Sequence, residues 1–484
     1  ELACMRDYLH FYVNGVELKV SGVHAFLPLS TYLRSLAEGT GTKVVCEEGD
    51  CGACSVLLGK VSGADISYRT LNSCIQYLFQ VDALHVVTIE GLKQEGQLNP
   101  VQEAMVACHG TQCGFCTPGF VVAMCGLYDK KQAACTQEIK DALTGNLCRC
   151  TGYLPIIESA LEVATEKIPS LSELYPSESM KKALTAAAQS EVEIVAAERR
   201  VYIPLTVEQA VAYRARWQDT VIVSGGTDVC VNMNKRSYLP STIMSFCRLA
   251  GMNDIWQENN RLCVGGTVTL SRLEEFVKER VPALHHLLWL FGSPQIRNAG
   301  TLAGNIANAS PIADTPPLLL VMNAELELSS SGEKRRVKMT DFYKGYKQFD
   351  LKAHEVISQI DLPLPAPDET IKLYKVSKRK HLDISAFTAA FRLKLSGDTI
   401  SEIAVAYGGV AAVVLRMPEL EQFLRGKKFC LETFQQAGNI ALQEISPISD
   451  VRGSCEFRNQ LGRNILLKFF HEVNQSRRES ACQL

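Results

Sequence analysis

The chain has 484 residues, 46% of them hydrophobic and 21% charged, and its net charge is −2. This length accommodates about three domains with cores of their own, and the near-neutral balance gives no electrostatic reason to expect nucleic acid or an anionic membrane surface. No apolar run approaches a membrane span; the longest, Pro316 to Met322, reads as core. The opening residues lack a basic region followed by a sustained apolar stretch, so no secretory signal is expected and the cytoplasm is the expected compartment. Met5 is a candidate start, which leaves open whether residues 1–4 are native. In that compartment, eighteen cysteines point to metal ligands and buried thiols rather than structural disulfides.

Residues 8–92 read as a small β-rich unit. Asn14-Gly15 between two strand-like runs predicts a hairpin, because both turn positions need positive φ. Residues 30–37 are expected as a short helix capped by Ser30. A cysteine loop from Cys46, a strand from Cys54 to Val61 and a further cysteine, Cys74, follow. Residues 93–167 turn helical. One helix starts at Pro100 after Asn99, a second at Thr117-Pro118, a third spans Gln137 to Leu143 and a fourth starts at Pro155. Residues 168–195 are polar and alanine-rich and are expected as a surface linker, in part helical. An α+β region covers 196–368, its end marked by the proline-rich stretch Pro363 to Asp368. Residues 369–480 alternate strand-like runs with helices. The fold class is therefore α+β and multidomain, with no internal repeat.

Two cysteine sets carry the chemistry. Cys46, Cys51, Cys54 and Cys74 have a four-residue gap, a two-residue gap and a distant fourth member, the plant-type [2Fe–2S] ferredoxin spacing. Such a loop wraps a cluster, and Gly49 and Gly52 let backbone N–H groups approach the sulfides. Zinc prefers paired knuckles and fits this loop poorly. Cys113, Cys116, Cys148 and Cys150 form the second set, each pair lying just before a helix start, where the positive helix end favours thiolates. Two complete sets predict two separate [2Fe–2S] clusters. The other ten cysteines match neither set and read as small buried hydrophobes or idle thiols.

The stretches CEEGDCGACSV, GTQCGFCTPGF and NLCRCTGYLPI resemble the iron–sulfur portion of the molybdenum hydroxylases, a family that includes xanthine dehydrogenase, aldehyde oxidase and carbon monoxide dehydrogenase. The resemblance runs almost continuously over residues 8–167. It implies a β-grasp ferredoxin-like domain at 8–92 and a four-helix [2Fe–2S] domain at 93–167, with Gln112 matching a residue that contacts the pterin in the family.

No G-x-G-x-x-G follows a strand, so a dinucleotide fold of that kind is not indicated. VIVSGGTDV, residues 221–229, reads as a strand entering a glycine turn whose N–H groups suit a pyrophosphate, with Gly225 expected at positive φ. Residues 292–317 are rich in small polar side chains that let a ligand lie against backbone. Together these segments resemble the FAD domain of the same family, placed here at 196–368, with a C-terminal flavoprotein domain at 369–480. The resemblance assigns Gly225, Gly226, Thr227, Asp228 and Val229 to a first FAD loop and Phe291, Thr301, Gly304, Asn305 and Asp314 to a second. Lys375 is placed beside the flavin, and Phe291 near the face where nicotinamide docks. Gly226 and Asp228 depart mildly from the family's frequent Asn and Glu.

The order of domains looks like the small iron–sulfur/FAD subunit of a two-chain, bacterial-type xanthine dehydrogenase. The resemblance implies two [2Fe–2S] clusters, FAD, NAD⁺ as acceptor and a large molybdopterin-binding partner subunit in a hetero-oligomer. No catalytic residue for hydroxylation is expected in this chain. The alternatives are the small subunit of another molybdenum hydroxylase acting on aldehydes or N-heterocycles, a stand-alone NAD(P)H:acceptor reductase, and a zinc scaffold.

Overall fold

A computed structural model describes residues 5–93, 96–236 and 238–481; Cys4, Cys482 and the origin of residues 1–4 lie outside the described residues. The chain forms two units, Glu1–Ala250 with Gly292–Gly300, and Gly251–Phe291 with Thr301–Leu484. Among the described residues, no helix is long and apolar enough to cross a membrane.

The first unit opens with the hairpin the sequence predicts. Strands β1 (Tyr8–Val13) and β2 (Val16–Ser21) pair antiparallel around Asn14 and Gly15, both at positive φ. Strands β3 (Ser55–Ser62), β4 (Asp65–Asn72) and β5 (His85–Val87) complete a five-stranded sheet in the order β2-β1-β5-β3-β4, the β-grasp arrangement. The helix expected at 30–37 is Leu29–Ser35. Its N-cap is Pro28, and Ser30 is a buried residue inside it rather than the cap. Pro28 already holds the extended backbone a helix start needs, so no side-chain cap is required there.

Four helices follow, Pro100–Ala107, Thr117–Tyr128, Thr136–Leu143 and Leu154–Leu161. Asn99 and Gln102 close a reciprocal capping box on the first. The stretch expected as a surface linker packs instead. Helix Glu178–Ala187 buries Met180 and Leu184 in the core shared by the four helices and β3 to β5. Its apolar residues recur every three to four positions, a helical stripe that its polar average conceals.

Strands β6 (Val192–Ala196), β7 (Arg199–Ile203), β8 (Val221–Val223) and β9 (Thr242–Ser245) form a second sheet in the order β6-β7-β9-β8. Its inner residues Val192, Ile194, Val201, Ile203, Val223 and Ile243 belong to one hydrophobic core with Leu9 and Phe11 of the β-grasp sheet and Phe79 of the short 3-10 turn Leu78–Gln80. Asp82, fully buried, anchors that junction. It accepts bonds from Arg6 at 3.0 and 2.8 Å, lies 3.0 Å from Arg248 Nε, and accepts the His10 N–H at 2.8 Å. Asp82→Ala strands two guanidiniums in an apolar core, so it should cost about 3–5 kcal/mol. Chemical denaturation should show the unfolding midpoint of this unit falling accordingly, whereas a surface Glu17→Ala control should hardly move it.

The second unit holds a five-stranded antiparallel sheet that includes Arg261–Gly265, Val356–Pro363 and Glu325–Ser330. A four-stranded antiparallel sheet beyond it runs Glu369–Val376, Phe387–Ser396, Thr399–Gly408 and Leu415–Arg416. Pro316–Val321, the longest apolar run, is a wholly buried helix, as read from the sequence. Helix Cys455–Ala481 contributes Leu466, Phe469 and Phe470 to the core behind the four-stranded sheet.

Candidate electron-transfer site

The first cysteine set is assembled by a loop and a strand end. Cys46, Cys51 and Cys54 lie on the loop before β3, and Cys74 follows β4. Gly49 and Gly52 are both at positive φ, and a Cβ on Gly52 would lie 2.2 Å from the Gly145 carbonyl oxygen, so only glycine fits. The thiols contact in pairs, Cys46 with Cys51 and Cys54 with Cys74, and a further contact joins Cys46 to Cys74. Hydrogen bonds from Cys51 and Cys74 push the Cys46 thiol down, while giving them pushes Cys51 and Cys74 up.

The second set also resolves into pairs, each drawn from both loops. Cys116 meets Cys148, and Cys113 meets Cys150. Burial, with the bond to Cys148, pushes Cys116 up to about 12. Burial opposes the charged form at Cys148 too, but bonds from Thr151 and neighbouring backbone outweigh it and leave that thiol lowered. All sixteen described cysteines are free. Among the described residues, no three His, Cys, Asp or Glu side chains surround a point where one metal ion would sit. Two irons taking two thiolates each fit this pairing.

The two sets differ in exposure. Cys54 and Cys74 are buried, whereas Cys113 and Cys150 are exposed. Around the exposed pair stand Phe115, Tyr153 and Leu154, 44%, 39% and 64% exposed, with Gln112 also exposed. The sets are joined by backbone: Leu147, which precedes Cys148, donates its N–H to the Cys51 carbonyl at 3.0 Å. Asn146 donates to the Gly52 carbonyl at 3.2 Å and accepts from buried Gln295 at 3.0 Å. Sequence reasoning missed Asn146 and Gln295, since an amide buried for its hydrogen bonds has no periodic signature.

The glycine turn follows β8 as expected, but its two glycines have different reasons. Gly226 carries the positive φ of 75°. Gly225 does not; a Cβ there would lie 2.1 Å from the Ala299 carbonyl oxygen, so close backbone approach is what excludes a side chain. Thr227, Asp228 and Val229 lead into helix Val229–Asn234, where Asp228 accepts from Asn232 at 3.2 Å. The segment read as one loop from Gly292 onward is divided, with Gly292–Gly300 in the first unit and Thr301 onward in the second.

In the second unit, Thr301 caps helix Leu302–Ala307 by accepting the Gly304 N–H at 3.0 Å. Gly304 is exposed, and among the described residues a Cβ there would meet only Thr301 Oγ1 within 4 Å, which leaves its backbone open to a ligand. Asn305 accepts from buried Thr315 at 2.6 Å. Asp314 accepts from Ser385 at 2.5 Å and from Lys375 at 2.6 Å, with both the Lys375 and Asp314 side chains buried. Lys375 Nζ lies 5.9 Å from the Phe291 ring centroid. Asp314 and Lys375 thus satisfy one another, as a support behind the loop.

Comparison with known proteins matches three family descriptions to the chain. These are "[2Fe-2S] binding domain" at residues 88–161, "FAD binding domain in molybdopterin dehydrogenase" at 186–365, and "CO dehydrogenase flavoprotein C-terminal domain" at 372–473. The chain belongs to the molybdenum hydroxylases. Similar to this molybdenum hydroxylase chain is the xanthine dehydrogenase of Oryza sativa subsp. japonica, 30% identical over 96% of this chain. The chain spans about 40% of the length of that relative. The carbon monoxide dehydrogenase of Hydrogenophaga pseudoflava has a chain 27% identical, with a TM-score of 0.53, the likeness covering 55% of this chain and 93% of that one. A chain of quinoline 2-oxidoreductase from Pseudomonas putida 86 is 28% identical at a TM-score of 0.53, covering 57% and 96% respectively. These matches carry the [2Fe–2S] and FAD cofactors to the hydroxylase chain.

Proposed function

We propose that this chain is the electron-transfer subunit of a xanthine dehydrogenase, working with a molybdopterin-binding partner and reducing NAD⁺. One observation carries the reading: the hydrogen bond from Leu147 N–H to the Cys51 carbonyl, which joins the loops of the two cysteine sets. When bound, the clusters carry single electrons and the flavin converts them into a hydride. Cys113, Cys116, Cys148 and Cys150 hold the first cluster on the route, at a surface whose exposed Phe115, Tyr153 and Leu154 suit a partner protein. Cys46, Cys51, Cys54 and Cys74 hold the second, with Cys54 and Cys74 buried. FAD binding is assigned to Gly225, Gly226, Thr227, Asp228 and Val229 in the first unit and, separately, to Phe291, Thr301, Gly304 and Asn305 in the second, with Asp314 and Lys375 in support. The reaction balances. Hypoxanthine and then xanthine each take an oxygen from water, and each step releases two electrons and two protons. NAD⁺ accepts both electrons and one proton, and the other proton goes to solvent.

The test separates the half-reactions. This chain, free of any partner and loaded with FAD, should oxidise NADH with a two-electron dye and show no xanthine-dependent reduction. Hydride transfer needs only the flavin and an oriented nicotinamide. Xanthine turnover by the partner-free chain would refute the division, and absence of NADH oxidation at full FAD loading would point to a different acceptor. A second reading, an N-heterocycle other than a purine as the partner's substrate, is favoured by the likeness to quinoline 2-oxidoreductase.

A further inference from the structure

The segment after Cys74 grips the glycine turn and its helix at both ends. At the near end, Gln76 and Gln80, both buried, each place Nε2 3.3 Å from the Gly225 carbonyl oxygen. Midway, Cys230 Sγ lies 3.4 Å from Gln80 Oε1. At the far end, Asn234 gives one amide proton to the Cys74 carbonyl and the other to the Glu47 carbonyl, both at 2.8 Å. Its Oδ1 accepts the Tyr77 hydroxyl at 2.9 Å. Next to it, Lys235 Nζ donates to the Cys46 carbonyl at 2.9 Å and lies 3.4 Å from the Glu48 carboxylate.

Two cysteines of the first set, Cys46 and Cys74, therefore have their carbonyls bonded by the end of the helix that begins at the glycine turn. That helix has six residues, a rod of about 9 Å at 1.5 Å per residue. Asn234 has both donors and one acceptor site engaged, so it cannot swing without breaking all three bonds. Packing and turn geometry require none of this: a six-residue helix is held by its apolar face, which here supplies Cys230 and Met233 to the core. What these bonds add is a rigid polar connection from the backbone of two ligand residues to the turn.

We propose that Asn234 is a positioning residue that couples flavin occupancy of the glycine turn to the electronic environment of the Cys46, Cys51, Cys54 and Cys74 set. The inference rests on the FAD reading of that turn. With the turn filled, the helix is fixed and Asn234 and Lys235 hold the Cys46 and Cys74 carbonyls as observed. With it empty, the helix end is freer and those carbonyls lose part of their donors, so the thiolates they flank sit in a different local field. By linkage, the effect runs both ways.

The experiment uses the cofactor-loaded chain, reduced with dithionite so that the flavin carries no unpaired electron, and reads the EPR signal of each cluster with FAD bound, stripped and restored. In the wild type the ferredoxin-like signal should shift on stripping and return on reloading, while the other cluster's signal stays still. Asn234→Ala should show the stripped-type signal even at full FAD loading and should no longer respond. If Asn234→Ala does not fold, Lys235→Ala, at a half-exposed site, should show a reduced response. A wild-type signal indifferent to FAD, or an unaltered response in whichever variant folds, would overturn the coupling. Full flavin retention by Gly225→Val would instead remove the FAD reading of the turn, and the coupling with it.

Discussion

Cys148→Ser should abolish one of the two [2Fe–2S] EPR signals and halve the iron, from about four atoms per chain to about two. The expectation follows from the pairing of thiols. Cys148 is 5% exposed and faces Cys116, so its loss leaves one iron of the second cluster with a single protein thiolate. The Cys148 thiol is further met by Thr151, with Oγ1 at 3.2 Å, and by the backbone of Thr151 and Cys150, none of which replaces a thiolate. The first set keeps all four of its own thiols, and Leu147 N–H still meets the Cys51 carbonyl through backbone alone. Loss of both signals from a chain with wild-type circular dichroism would contradict two independent sites. Ligation can itself support a fold, so Cys150→Ser, at an exposed position, provides the second variant. It should remove the same signal.

Gly225→Val should reduce the flavin-to-protein ratio by at least about tenfold, equivalent to roughly 1.4 kcal/mol of binding free energy. Any Cβ at this position meets the Ala299 carbonyl oxygen at 2.1 Å and the carbonyl carbon at 2.6 Å. Both neighbours are backbone, which cannot swing aside, so the turn itself must move. The carbonyl of Gly225 then leaves Gln76 and Gln80, and the N–H groups that follow lose their aim. Both cluster signals should persist, which separates a local loss from global unfolding. Yellow protein with normal flavin content would remove the turn from the FAD site.

Much of this was legible in the sequence wherever a single local rule decides the outcome. Asn14-Gly15 required a hairpin, Pro100, Pro118 and Pro155 marked helix starts, and eight cysteines came together in the two sets their spacing predicted. The misreadings arose where long-range packing decides. Ser30 resembles a cap but is buried behind Pro28. Met180 and Leu184 lie in a polar stretch whose destination, a core built by residues 12–171, no local window contains. Gly225 is glycine because Ala299, seventy-four positions later, presses against it. Gln76, Gln80, Asn146, Asn234 and Gln295 were invisible for the same reason: an amide's value depends on the carbonyls it finds.

The shared core of the first unit also bears on biosynthesis. Cys46 to Cys74 emerge early from the ribosome, yet the apolar face beneath them is closed only by β6 to β9 and by Ile296 and Ala299. At about 5–20 residues per second, translation from residue 74 to residue 300 takes roughly 10 to 45 seconds. Throughout that interval the four thiols belong to an unfinished sheet with one oily side open to water. A chain cut before Val192 would leave Leu9, Phe11 and Phe79 without the apolar partners that β6 to β9 supply, an oily face for water to meet.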